Sequence, residues 1–176
     1  MIVWIIAALT VISALCWFLI SNRPLRLALG GLTGLALVAA VGLLSANMDN
    51  HYGMEQQTTV TTKPVYSMAP SNMPIGMIAT KKVGPNNLVV VYKDHASDEK
   101  ATAHFVPDTS DIVAATKQTS DYQQTNGDQA VVKTTTTKWV YKSQLLKDLF
   151  HEEGQDNTIH VSHVVEIPAT WRVVSQ

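Results

Sequence analysis

Apolar residues fill the chain from Met1 to Ile20, broken only by Thr10 and Ser13. A second apolar run, Leu27 to Ala46, is interrupted only by glycines, Thr33 and Ser45. Each is as long as the roughly 20 helical residues that cross a hydrocarbon core of about 30 Å. Neither shows the polar face that a core helix of this length normally carries. Between them lies Ser21-Asn22-Arg23-Pro24-Leu25-Arg26, a polar turn too short to hold a domain. The pattern predicts a transmembrane helical hairpin over 1–46, with spans 1–20 and 27–46 and a turn at 21–26.

After Ala46 the pattern changes. Residues 47–56 are polar and read as a connector, and 57–176 as a β-rich domain. Sixteen threonines fall between 58 and 170, a β-forming bias. Expected strands are 57–68, 75–82, 87–93, 100–106, 113–123, 129–142 and 158–167, with a last one at 170–174. Pro70, Pro74, Gly84-Pro85, Pro107 and Gly154 punctuate them. Asn126-Gly127 between two β-rich runs predicts a hairpin. One helix is expected at 142–153, where Leu145, Leu146, Leu149 and Phe150 form a stripe, Ser143 is a cap and Gly154 a stop. The expected core is Leu88–Tyr92, Val131–Val132, Trp139–Tyr141 and Ile159–Ile167, with Leu145, Leu149 and Phe150 closing one side. The fold class is therefore a two-helix hairpin followed by an all-β or α+β domain with one short helix.

Charge sharpens this division. Residues 1–46 hold 33 hydrophobic positions and only two charges, Arg23 and Arg26. The remainder holds 11 Lys+Arg against 14 Asp+Glu, a net −3, which excludes a nucleic-acid binder driven by a basic surface. Both arginines lie in the short inter-helix turn, so the positive-inside rule makes that turn cytoplasmic and both termini extracytoplasmic. A cleaved signal peptide would need a basic start, and no Lys or Arg precedes Arg23. Cys16 follows bulky Leu15, unlike an acylated lipoprotein cysteine, and reads as a small apolar residue of the span. A single cysteine also excludes a disulfide scaffold.

The second span carries small residues four apart: Gly30/Gly34, Ala36/Ala40 and Gly42/Ala46. Small residues let helices approach closely in lipid. They suit packing within the hairpin, or against a membrane-protein partner or a second copy. The two spans with Ser21–Arg26, the following Asp49-Asn50-His51-Tyr52-Gly53-Met54, and the late Pro168-Ala169-Thr170-Trp171 together resemble an uncharacterised family of two-span proteins of Gram-positive bacteria, classed as a domain of unknown function. The resemblance extends over nearly the whole chain and implies no activity, cofactor or ligand.

Residues that could carry chemistry are sparse. No Gly-x-Ser-x-Gly elbow or phosphate loop is present, and the glycines at 30–34 lack a lysine. The histidines are 51, 95, 104, 151, 160 and 163. His160 and His163 would face opposite sides of a strand and could not grip one ion. Met68, Met73 and Met77, with Met48 and Met54 upstream, offer soft ligands but equally fill gaps in a core. No catalytic, cofactor or metal residue is assigned. The expectation is a non-enzymatic, membrane-anchored extracytoplasmic domain that binds a protein or envelope partner. The alternatives are an accessory subunit docking on a transporter through its helices, and an envelope enzyme.

Overall fold

The computed structural model describes residues 1–70, 73–151 and 154–175. Those residues fall into two compact units, one drawn from 1–56 and 139–157 and one from 57–138 and 158–175. The architecture is two long apolar helices followed by a β-rich part with mixed sheets and short helices, an α+β arrangement.

In the first unit, α1 spans Ile2–Leu19 and α2 spans Arg23–Asn50, and each is long and apolar enough to cross a membrane. Thr10 and Thr33 donate their hydroxyls to the carbonyls of Ile6 and Leu29, both at 2.8 Å, so neither needs water. The less exposed positions of α1 are Ile2, Ile6, Leu9, Ser13 and Cys16, continued by Ile20. On α2 they include Arg26, Gly30, Thr33, Leu37, Ala40, Leu44 and Asn47. Steps of four and three alternate in both, the seven-residue repeat of a left-handed helix pair.

Two expectations about this region change. The turn expected at 21–26 shrinks to the residues between Leu19 and Arg23, because Pro24 sits in the first turn of α2. There its missing N–H costs nothing, so it starts the helix instead of breaking one. The connector expected at 47–56 is helical through Asn50 and extended from Met54. His51 ends α2 in the left-handed conformation (φ 52°), and the Asn47 side-chain amide donates to the Tyr52 carbonyl at 2.7 Å.

Among the described residues, eight strands follow: β1 Met54–Pro64, β2 Met77–Lys82, β3 Leu88–Tyr92, β4 Thr102–His104, β5 Gln118–Thr125, β6 Val131–Tyr141, β7 Thr158–Pro168 and β8 Arg172–Ser175. They form two four-stranded sheets, ordered β1-β6-β7-β5 and β4-β3-β2-β8. Each contains one parallel pair, β5 with β7 and β2 with β8. The core of the second unit joins both sheets: Ile78, Val90 and Tyr92 from one, Val132, Val165 and Ile167 from the other, with Val65 and Ala130. Ser120 ties the sheets by donating to the Leu88 carbonyl (2.8 Å) and accepting its N–H (2.9 Å). Trp171 follows a tight turn in which its N–H donates to the Pro168 carbonyl, and β7 passes into β8 and the other sheet there.

The Asn126-Gly127 hairpin is not formed. β7 lies between β5 and β6, parallel to the first and antiparallel to the second. β7 supplies fully buried Val165 and Ile167 and takes one of the two inner places, where both of its edges are paired. The strand expected at 113–123 begins only at Gln118. Ile112–Thr116 is instead a short helix, α3, capped by Asp111 accepting the Ala114 N–H at 2.9 Å. The helix α4 covers Gln144–Phe150, with Ser143 as its cap, and ends at His151 before Gly154; Glu152 and Glu153 lie outside the described residues. The stripe expected to close the β core falls in the other unit. Phe150 is buried, but with Trp139–Tyr141 it belongs to the unit of the hairpin, and Leu145 is 67% exposed. A seven-residue helix has room for one narrow buried stripe, and the α4 side chain set against Gly53 is that of Leu146.

Candidate functional site

The β unit opens into a cleft of ≈ 890 Å³ whose walls come from β1, β3, β4, β6 and β7 and from the loops after β1 and β3. Its origin is visible along the strands. Inward positions of β7 run Ile167, Val165, His163, those of β6 run Val132, Thr134, and those of β3 run Val90, Tyr92. Aliphatic side chains give way to aromatic and polar ones, so the sheets stop sealing against each other.

Tyr92 and His104 stack across neighbouring strands, with centroids 3.8 Å apart and planes at 8°. Tyr92 pairs with Thr102 and Val90 with His104, so this is a diagonal contact on one face. The Thr102 hydroxyl lies 2.9 Å from His104 Nε2 and fixes that ring. At Phe105 the backbone turns to φ 61°, ending β4 and laying the phenyl ring on His163, with centroids 4.3 Å apart and planes at 18°. His163 Nδ1 is 3.0 Å from the Thr134 hydroxyl on β6.

Charge sits at the rim. Asp94 Oδ2 is 3.6 Å from His104 Nε2. Asp98 Oδ2 accepts the His95 N–H at 2.9 Å, which pins its carboxylate on the turn after β3. Lys63 is the lysine among the lining residues. Tyr66, held opposite Lys93 by two backbone hydrogen bonds of 3.0 Å, adds a phenol. Burial, with the Asp94 charge adding to it, pushes the Tyr92 phenol up to about 12, so it stays protonated. Burial also pulls His163 below its ordinary value, leaving it neutral near pH 7.

The residues singled out from sequence fall in different places. Gly30 faces α1, since a Cβ there would meet Trp17 Nε1 at 2.8 Å. Gly34, Ala36, Ala40 and Ala46 are half-buried along α2, and Gly42 is exposed with nothing within 4 Å of a Cβ. Arg23 and Arg26 lie in the first turn of α2, with Arg26 on the seam. His160 and His163 do face opposite sides of β7: His160 Nε2 lies 3.1 Å from the Thr119 hydroxyl, away from the cleft. Met48 and Met54 belong to the hairpin unit and Met68, Met73 and Met77 to the β unit. Among the described residues, no three His, Cys, Asp or Glu side chains converge as a metal site would require. His95, His104 and His163 come together at the cleft, while His51 stacks on Trp139 at 4.3 Å in the other unit. Tyr66, Tyr92, Asp94, Asp98 and Phe105 carry no motif. The one signal was the density of titratable residues over Asp94–Lys100, directly after an apolar strand.

A family model described as "Domain of unknown function (DUF4811)" matches residues 22–176. The chain belongs to the DUF4811 family. That match takes in α2 and the whole β-rich part, and the description names no activity, ligand or location. No curated protein and no solved structure matches the chain. Within this DUF4811 member, the Pro168–Trp171 stretch has a structural duty: the Trp171 ring covers Gly76 at the passage from β7 to β8.

Proposed function

We propose that this protein is a membrane-anchored, non-enzymatic binding module whose β unit meets its partner outside the cytoplasm through the histidine-aromatic cleft. The observation that carries this reading is the cleft itself. At ≈ 890 Å³ it falls in the range of small-ligand and side-chain sites, with an apolar floor and a few convergent polar groups. The anchor reading is supported by the two apolar helices and by Arg23 and Arg26 at the inter-helix end. The Met1 ammonium donates to the Leu149 carbonyl at 2.9 Å, which supports placing the N-terminus on the same side as α4.

Two experiments test this. A cysteine at exposed Ser97, in a Cys16-free variant, should react with a membrane-impermeant thiol reagent on intact cells, while one at Ser21 should react only after lysis. The reverse labelling overturns the orientation. Co-purification from native membranes should retain a partner on the full chain and lose it on a Tyr66→Ala, Asp94→Asn variant. A partner retained by the hairpin alone would favour docking through the helices as a transporter accessory subunit. The open surface at Gly31 and Gly42 supports that second reading. An envelope enzyme draws its support from the Thr134–His163 pair, a hydroxyl beside a neutral imidazole. Labelling by a phosphonate probe that Thr134→Val abolishes would put that reading first.

A further inference from the structure

We propose that the ligand of the cleft is an organic ammonium group, seated between Asp94 and Asp98 with its carbon body on the apolar floor. The proposal rests on the binding reading above and names the chemistry of the occupant. Three observations carry it.

The first is charge. The rim presents two carboxylates against the single ammonium of Lys63, with the imidazoles of His95 and His104 each 3.6 Å from one carboxylate. Both come from one short turn, and Asp98 is held there by the His95 N–H. Asp94 is 54% exposed, so it is reachable, while its field acts on the buried Tyr92 phenol behind it. A cleft with low-dielectric walls strengthens the attraction of such carboxylates for a cation. The second is the floor. His163 is stacked on Phe105 and neutral, so the depth of the cleft offers no positive charge to repel a cation. The third is the aromatic wall. Tyr66, 36% exposed, lines the cleft with the two carboxylates, while Tyr92 is buried against His104, and a ring face with carboxylates is the surrounding in which ammonium groups are held. An anion would meet two carboxylates. A neutral polyol would bring the two carboxylates no charge beyond the imidazoles of His104 and His95, each 3.6 Å from one of them.

The same chemistry is carried by a free polyamine and by a lysine side chain of a polypeptide. Putrescine serves as the probe, with 1,4-butanediol as its neutral isostere and methyl glucoside as a saccharide control. The full chain in detergent is titrated and followed by calorimetry and by the Tyr and Phe resonances. Putrescine should bind at least about tenfold more tightly than butanediol, as loss of a charge-assisted hydrogen bond dictates. Asp94→Asn with Asp98→Asn should weaken putrescine by about tenfold or more without changing the melting temperature. Lys63→Gln should leave binding equal or tighter, because it removes a like charge. Equal binding of butanediol, preferential binding of the glucoside, or unchanged affinity in the double Asp variant overturns the proposal. A lysine-containing hexapeptide binding more tightly than putrescine assigns the group to a polypeptide, and the reverse assigns it to a free amine. If the double Asp variant loses its co-purified partner while putrescine does not bind, the ammonium chemistry fails and the binding module stands. If putrescine binds as stated but the partner is indifferent to cleft variants, the cleft is a small-amine site and the partner reading fails.

Discussion

The phenyl ring of Phe105 lies flat on the imidazole of His163, and it gets there through a left-handed backbone at φ 61°. A side chain in that region costs about 1–2 kcal/mol relative to glycine, so the stack must outweigh the strain. Phe105→Ala should therefore lower stability by about 1–3 kcal/mol. Phe105→Gly loses the same ring but relieves the backbone. Thermal melts should rank wild type first, then the glycine variant, then alanine.

The stack also governs the acid side of stability. The folded-state pKa of His163 lies below its ordinary value of 6.5 because burial disfavours the charged ring. Between the two values the unfolded chain binds more protons, so stability falls as pH drops through and below 6.5. His163→Asn should flatten that part of the profile. In Phe105→Ala, where water reaches the ring, an NMR titration should find His163 closer to 6.5.

Tyr92 acts at the other extreme. Its phenol is raised from 10.0 to about 12, so the native state holds its proton where the unfolded chain has lost it. Its contribution is full below pH 10 and is lost as pH rises toward 12. Melting temperature against pH should fall across that window in the wild type and fall less in Tyr92→Phe.

Gly76 has no room for a side chain. A Cβ there would collide with the Trp171 ring. Gly76→Ala should destabilise the β unit by about 1–3 kcal/mol through overpacking, and a shift in tryptophan emission should accompany the lower melting temperature.

The glycines of α2 divide in the same way. Gly30→Val must push Trp17 aside and should loosen the hairpin, read as altered Trp17 emission and a lower melting temperature in detergent. Gly42→Val meets nothing and should leave the isolated chain unchanged. A loss of function in Gly42→Val without loss of stability would mark an outward contact of α2.

Much of this protein is legible from its sequence because some signals are local. Two apolar runs of spanning length with Arg23 and Arg26 between them determine the helical hairpin, and the switch to threonine-rich alternation determines the β-rich part. From the expected runs Leu88–Tyr92, Val131–Val132 and Ile159–Ile167, the residues Leu88, Val90, Tyr92, Val132, Val165 and Ile167 are found in or against the core, because burial selects apolar residues whatever their partners and takes one face of each strand. Neighbour relations were decided elsewhere. A period of two tells which face a strand residue occupies and says nothing about the strand beside it. So Asn126-Gly127 suggested a hairpin, while the tertiary structure placed β7 between β5 and β6, where its aliphatic residues are most fully buried. The cleft was decided in the same way. His104, Phe105, Asp94 and His163 come from β4, two loops and β7, and they meet only when the two sheets pack. No spacing along the chain records that meeting, because the distances that matter are set by the packing of Val65, Ile78, Val90 and Ile167 beneath them.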